Sequence, residues 1–376
     1  MAVVEDDPNA GTVQAAADER LRKASFGARL MKRPELGAIA GLVLVTAFFI
    51  AVANPVMFSL AGIINFLTPA AQLGILALGA ALLMIGGEFD LSVGSMVAFA
   101  GLVFGIALTV LGLPLILAIP ATLAVAAGVG FINAQIVLRT ALPSFIVTLA
   151  GLFILRGLSL VGLKWATGGS TQMRSIDRTV EDDFLMPFFS GDAFEGTFRW
   201  MAEAGWVDTF RNGLPKVPGI PVEIIWFVIL TVIATWVLLR TPWGNWIFAA
   251  GGDATAASNS GVPVRRVKIA LFILTACCAA LVAIITVLEA GSTDARRGFQ
   301  KEFEAIIAAV IGGALLTGGY GSAVGAFFGA IIFGMVMIGL TYTTIDQDWY
   351  QVFLGSMLLI AVVFNNVIRR RVTGER

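Results

Sequence analysis

The chain has 376 residues, 58% hydrophobic and 13% charged, with a mean hydropathy of +0.88 and 25 basic residues against 25 acidic ones. Soluble domains carry about a quarter charged residues, so a single water-soluble domain is excluded, and a net charge of zero gives no footing for nucleic acid. Histidine is absent, which removes imidazole acid–base chemistry and most zinc or iron sites, and the adjacent Cys277 and Cys278 read as small apolar residues rather than a disulfide or metal framework.

Residues 1–18 are acidic and alanine-rich, without helical apolar period, and read as a tail. "ERLRKASFGARLMKRPELG" (19–37) follows with six basic residues and reads as a cytoplasmic lead-in, which makes 1–37 the first segment of the chain. A helix needs roughly 20 apolar residues to cross a bilayer. Runs of that kind lie at 38–58, 60–85, 92–111, 113–138, 143–163, 222–239, 267–288, 305–317, 321–341 and 348–368. The expected fold is therefore an all-α polytopic membrane protein of about ten transmembrane helices, with a membrane domain over 38–368 and a short tail over 369–376.

Orientation follows the bias of Lys and Arg toward the cytoplasmic side. Arg139, Arg240, Arg265, Arg266, Lys268, Arg369, Arg370 and Arg371 fall on the side of the basic lead-in, so both termini are expected in the cytoplasm. Arg296, Arg297 and Lys301 fall on the other side, in company with Glu289, Asp294, Glu302 and Glu304. Trp165, Trp226, Trp243, Trp246 and Trp349 stand at span ends, as an interfacial belt would place them. Polar residues inside spans, such as Asn65, Gln72, Asn133, Gln135 and Thr148, either line a path or tie helices together.

The one long hydrophilic segment, 164–221, holds eight acids and six bases and is placed outside; its Phe184, Leu185, Phe188, Phe189, Trp200 and Trp206 point to a packed or membrane-skimming loop. "GGEFDLSVGSMVAFAG" (86–101) interrupts the apolar pattern with Glu88 and Asp90 among glycines. Asp90 directly precedes a run that reads helical from Leu91, so the expected role is an N-cap accepting from the amide of Ser92 or Val93; Glu88 stays unassigned. "IGGEFDLSVGSMVAF" (85–99) resembles "IGGALLTGGYGSAVGAF" (311–327), and Gly-interrupted helices mark either a transport pathway or close helix packing. Within the cytoplasmic loop 241–266, Asp253 is a good N-cap, 254–260 is helix-compatible, Gly261 fits the position just past the helix and Pro263 enforces the stop. A helix of about two turns is too short to stand alone in water and needs a partner surface.

The dipeptide Gly-Lys occurs nowhere, so the chain carries no P-loop, and no nucleophile–base pair is assembled. Four segments then carry a resemblance: Gly86 to Ser95; Pro143 to Gly151 with Arg156 and Gly157; 251–262; and Ile306 to Gly313 with Gly318, Gly319, Tyr320, Gly321 and Ser322. In that order they resemble the permease subunits of sugar ATP-binding cassette (ABC) importers of the ribose/xylose/arabinose type, over about residues 60–368.

The resemblance implies a homodimeric pore in a bacterial inner membrane, moving a monosaccharide or similar small polyol. It implies two cytoplasmic ATPase subunits that hold the ATP and Mg, an external sugar-binding protein, and no cofactor or metal on this chain. Asp253, Ala254, Thr255, Ala256, Ala257, Ser258, Asn259, Ser260 and Gly261 would form the coupling helix; relatives tend to carry Glu and Arg where Thr255 and Ser258 stand. Gly86, Gly87, Glu88, Asp90, Ser92, Gly94, Ser95, Thr148, Arg156, Gly318, Gly319 and Gly321 are the candidate pathway residues. The competing reading is a secondary transporter or channel working alone, which the scarcity of buried charge disfavours.

Overall fold

The computed structural model describes residues 35–373. The acidic tail and the basic lead-in up to residue 34 lie outside the described residues, as do residues 374–376. Fourteen helices follow in chain order: α1 (Glu35–Val52), α2 (Leu60–Ile85), α3 (Val93–Thr109), α4 (Leu115–Thr140), α5 (Ser144–Thr167), α6 (Met186–Phe189), α7 (Glu195–Glu203), α8 (Val222–Arg240), α9 (Pro242–Gly252), α10 (Ala254–Asn259), α11 (Val264–Ala290), α12 (Lys301–Ile311), α13 (Ala323–Gly339) and α14 (Trp349–Thr373). Among the described residues, seven of these are long and apolar enough to cross a membrane: α1, α2, α4, α5, α8, α11, and α13 with the turn after it. The helix α3 and the stretch Trp349–Ile360 of α14 are shorter apolar helices.

The expected span 305–317 is corrected. Its residues belong to α12, which has 11 residues and, at 1.5 Å per residue, extends roughly 16 Å, about half the hydrocarbon thickness. The chain enters it through Gln300 in the left-handed conformation (φ 64°) and leaves it at Gly312-Gly313. Glu302 and Glu304 in its first turn complement the positive end of the helix dipole.

The helices α2, α11 and α13 form the centre, where Ala71, Ile75, Ala77, Leu83, Ala279, Ala283, Ala326 and Phe333 are buried together. Small side chains set how closely these helices approach; Gly334 of α13 lies against Phe66 and Ala70 of α2. The helices α1, α4, α5 and α8 flank this centre and leave Val43, Leu44, Phe153, Ile154, Val232 and Trp236 exposed, as a lipid-facing surface requires.

The hydrophilic segment begins at Gly168, since α5 runs to Thr167. It is packed: β1 (Gln172–Arg174) pairs antiparallel with β4 (Ser292–Asp294) after α11, and β2 (Asp192–Ala193) pairs with β3 (Ile220–Pro221) before α8. Met173, Ile176 and Val180 are buried with α3 and α11. Asp183 accepts from the Leu115 amide at 3.0 Å, and Trp226 Nε1 donates to the Phe188 carbonyl at 2.8 Å. Burial, with Glu195 nearby, pushes the Asp192 carboxyl above its usual range.

Candidate functional site

The two glycine-interrupted segments stop their helices in the same way. At the end of α2, Gly86 donates to Leu82 O, Gly87 to Met84 O and Glu88 to Leu83 O; at the end of α12, Gly312 donates to Ala308 O, Gly313 to Val310 O and Ala314 to Ala309 O. Gly87 and Gly313 take φ of 83° and 90°, the left-handed turn that closes a helix end. The two breaks meet. Gly319 donates to Ile85 O at 2.8 Å, satisfying a carbonyl that α2 leaves open.

Gly251 of α9 completes the junction. A Cβ on Gly318 would stand 2.6 Å from Gly251 O and 2.8 Å from Gly87 Cα, and one on Gly251 would run into Ile85 O. A Cβ on Gly321 would meet the Ile85 side chain at 2.7 Å, whereas the contacts of Gly251 and Gly318 are backbone to backbone. No side chain fits between these backbones.

Asp90 is buried, but it does not cap α3, which begins at Val93 with Ser92 in the cap position and no side-chain cap bond. Asp90 Oδ1 does accept from Ser92 N at 2.8 Å, one of the two amides expected, and also from Ser92 Oγ at 2.5 Å, while Ser92 Oγ accepts from Asn133 Nδ2 at 3.1 Å. The helix starts at Val93 rather than at Leu91, and α5 ties down the segment before it: Ser144 Oγ accepts from Phe89 N and Thr148 Oγ1 from Leu91 N, each at 3.0 Å. Leu91 and Ser92 form a turn, Ser92 already with helical φ and ψ, before the helix begins at Val93. Ser95 Oγ is buried without a hydrogen-bond partner, and Gly94 lies against Glu302 and Gly298, where a side chain would collide.

The two charges left unexplained by the sequence have partners. Glu88 forms a mostly buried ion pair with Lys268 of α11. Arg156, midway along α5, lies 3.6 Å from Glu302 and over the Phe299 ring at 4.9 Å. Sequence reasoning counted Lys268 only toward loop charge and singled out neither Glu302 nor Phe299 as a site residue. The legible signal was an acid and an aromatic on the approach to a short, glycine-terminated helix.

Beneath the junction, α9 leads directly into α10. Asp253 Oδ1 accepts from Thr255 N and Ala256 N, both at 2.9 Å, and Gly261 takes φ of 85°. Ala257 is buried against the protein itself, so it offers no contact to a partner; Thr255, Ala256, Ser258, Asn259 and Ser260 are exposed. The loop 241–266 is largely helical, since Pro242–Gly252 is a helix and α11 begins at Val264.

Known proteins share this layout of sequence. The family described as branched-chain amino acid transport system / permease component matches residues 62–362. The xylose transport system permease protein XylH of Escherichia coli (strain K12) is 30% identical over 364 residues, covering 89% of this chain and 92% of the relative. The ribose import permease protein RbsC of the same strain is 30% identical over 340 residues, covering 90% and 94%, and that of Haemophilus influenzae is 29% identical, covering 88% and 92%. No solved structure matches the chain. A polytopic helical protein with paired helix breaks, matched over most of its length, the chain belongs to the branched-chain amino acid transport system / permease component family and is a multi-pass membrane permease of the ABC importer kind.

Proposed function

We propose that the chain is the inner-membrane permease subunit that imports a monosaccharide or similar small polyol, working as a homodimer with a cytoplasmic ATPase and an external sugar-binding protein. The reading draws its substrate class from the xylose and ribose permeases to which the chain is similar along nearly its whole length. It draws its mechanism from one observation, the backbone junction of Gly87, Gly251 and Gly318. A push on α10 reaches Gly251 after two residues, and Gly251 bears directly on both helix breaks. Rigid contact of this kind passes on a displacement without absorbing it in side-chain rotation.

The dimer reading rests on Arg156. Its side chain is 33% exposed in the single chain, in the middle of a 24-residue helix. A charge there is costly against lipid and is found facing a bundle interior or an aqueous path. A second copy placed on this face of α5 and α12 would enclose Arg156 and Phe299 at a shared axis. The external segment 168–221, with Trp200 and Trp206 exposed, is then the surface offered to the binding protein.

The test is an Ala256→Arg variant, which places bulk on the exposed side of α10 and leaves the Asp253 cap in place. Membrane levels should match wild type while uptake of the transported sugar falls to background. Wild-type uptake by that variant excludes α10 as the ATPase contact.

A further inference from the structure

A second polar feature lies away from the junction, toward the end of the molecule that carries the 168–221 segment. It is a cavity of about 490 Å³ between α2, α3, α11, α13 and the start of α12, within the roughly 300–1,000 Å³ of small-molecule sites. Leu73, Leu76, Val97, Val282 and Met337 give it an apolar wall. Set into that wall are Gln72, Thr286, Glu289, Arg297 and Lys301. Gln72 and Thr286 are half-buried and Glu289 is exposed; polar groups on membrane helices face each other or a water-filled space.

The hydrogen-bonding capacity of the cavity is only partly used. Gln72 Nε2 donates to Glu289 Oε2 at 3.2 Å, which leaves the amide oxygen and the second carboxylate oxygen as acceptors. Thr286 Oγ donates to Val282 O at 2.8 Å, so its lone pairs are available. Arg297 is fixed by two 2.8 Å bonds to Thr286 O and Ser292 O, and its Nε is buried without a hydrogen-bond partner. Lys301 is paired with Glu304, and Arg297 lies close to Asp294. The two cations are thus answered from within the protein, and Glu289, held by the neutral Gln72 amide, is the charged acceptor left facing the cavity. What it offers is a cluster of acceptors and donors beside aliphatic carbon, the pattern that matches a ring bearing several hydroxyls. Lys301 is also the first residue of the half-helix α12, the kind of discontinuous element that borders transport sites.

We infer that this cavity is a transit site in each permease subunit for a neutral monosaccharide, held chiefly by Gln72 and Glu289. The inference rests on the sugar-importer reading and adds a location to it. The carboxylate of Glu289 would accept from two adjacent hydroxyls while Gln72 orients it. The affinity is weak by design of the chemistry, because the site has no aromatic platform and solute must leave it.

The test uses the full chain in its native host at its own locus, with Cys277 and Cys278 replaced by alanine and Ala290→Cys introduced at the exposed rim. Uptake of D-xylose, D-ribose, L-arabinose and D-galactose by the wild type identifies the transported sugar. That sugar, at saturating concentration in membrane vesicles, should slow modification of Ala290→Cys by a charged methanethiosulfonate reagent. Adding Glu289→Gln should weaken protection by about tenfold, the loss expected for one hydrogen bond to a charged acceptor. Gln72→Leu should do the same if the glutamate change disturbs folding. A transported sugar that leaves the modification rate unchanged, or protects both variants as it does the parent, overturns the site while the importer reading stands. If the wild type takes up none of the four sugars, the assignment of this cavity to a neutral monosaccharide is overturned, and the importer reading then rests on small polyols.

Discussion

A carboxylate among apolar helices must be held by donors, and Asp90 takes two from one residue, the amide and hydroxyl of Ser92. Asn presents the same acceptor in the same place, so Asp90→Asn should assemble and transport near wild-type level. Asp90→Leu leaves the buried Ser92 amide unanswered, a cost of about 1–3 kcal/mol, and should lower the thermal midpoint of the detergent-solubilised protein. An assembled but inactive Asp90→Asn variant would show that the charge itself is needed. The Glu88–Lys268 pair makes a different prediction. Removing one member strands a buried charge, at about 3–5 kcal/mol, whereas replacing both by apolar residues is close to neutral. Lys268→Met alone should therefore destabilise the protein, and Glu88→Leu with Lys268→Met should restore most of the loss in the same melting assay. A double variant as unstable as the single would mean that another contact dominates at Lys268.

The elements that carry the proposed mechanism are short and depend on neighbours. The six residues of α10 cannot hold a helix by propensity alone; the Asp253 cap, the buried Ala257 and the continuation into α11 hold it. Adjacent glycines of α9 offer a paired measurement. An added Cβ at Gly251 meets Ile85 O and Gly319 N, while one at Gly252 meets nothing within 4 Å. Gly251→Ala should therefore reduce uptake severely and Gly252→Ala hardly at all, with surface expression followed in both. Equal effects would show that the Gly251 contact plays no part in transport.

Across the whole molecule, the membrane region is asymmetric in its finish. One end carries the strand pairs β1–β4 and β2–β3 and the packed segment between α5 and α8; the other carries α9, α10 and the joined helix breaks. Glu35, at the start of α1, accepts from Ser322 Oγ at 2.8 Å, which places that start at the end with the breaks. From the basic-residue bias we propose that this same end faces the cytoplasm. A reporter enzyme that is active only outside should work when inserted near Gly191 and stay silent when fused after Arg376, and the opposite pattern would reverse the orientation.

Composition and hydropathy by themselves settled that the protein is polytopic and helical, because runs of about 20 apolar residues have few other stable environments. Local chemistry also marked the limits of α10, because Asp253, Gly261 and Pro263 act within a few residues, while its stability depends on the burial of Ala257. Tertiary structure decided the rest. The stretch 305–317 is apolar enough to read as a span, yet the turn before Lys301 and the glycine stop after Ile311 make it a half-helix, and both depend on where β4 and α13 hold the chain. Asp90 reads as a cap in sequence because Leu91 could begin a helix; in the fold Ser144 and Thr148, more than 50 residues away, hold the amides of Phe89 and Leu91, and the helix begins at Val93. The partners of Glu88 and Arg156 lie at still greater separation, in Lys268 and Glu302, and their pairing follows from helix packing that no local period encodes. Caps and spans are short-range and legible, while ion pairs and backbone junctions between distant segments exist only once the helices are assembled.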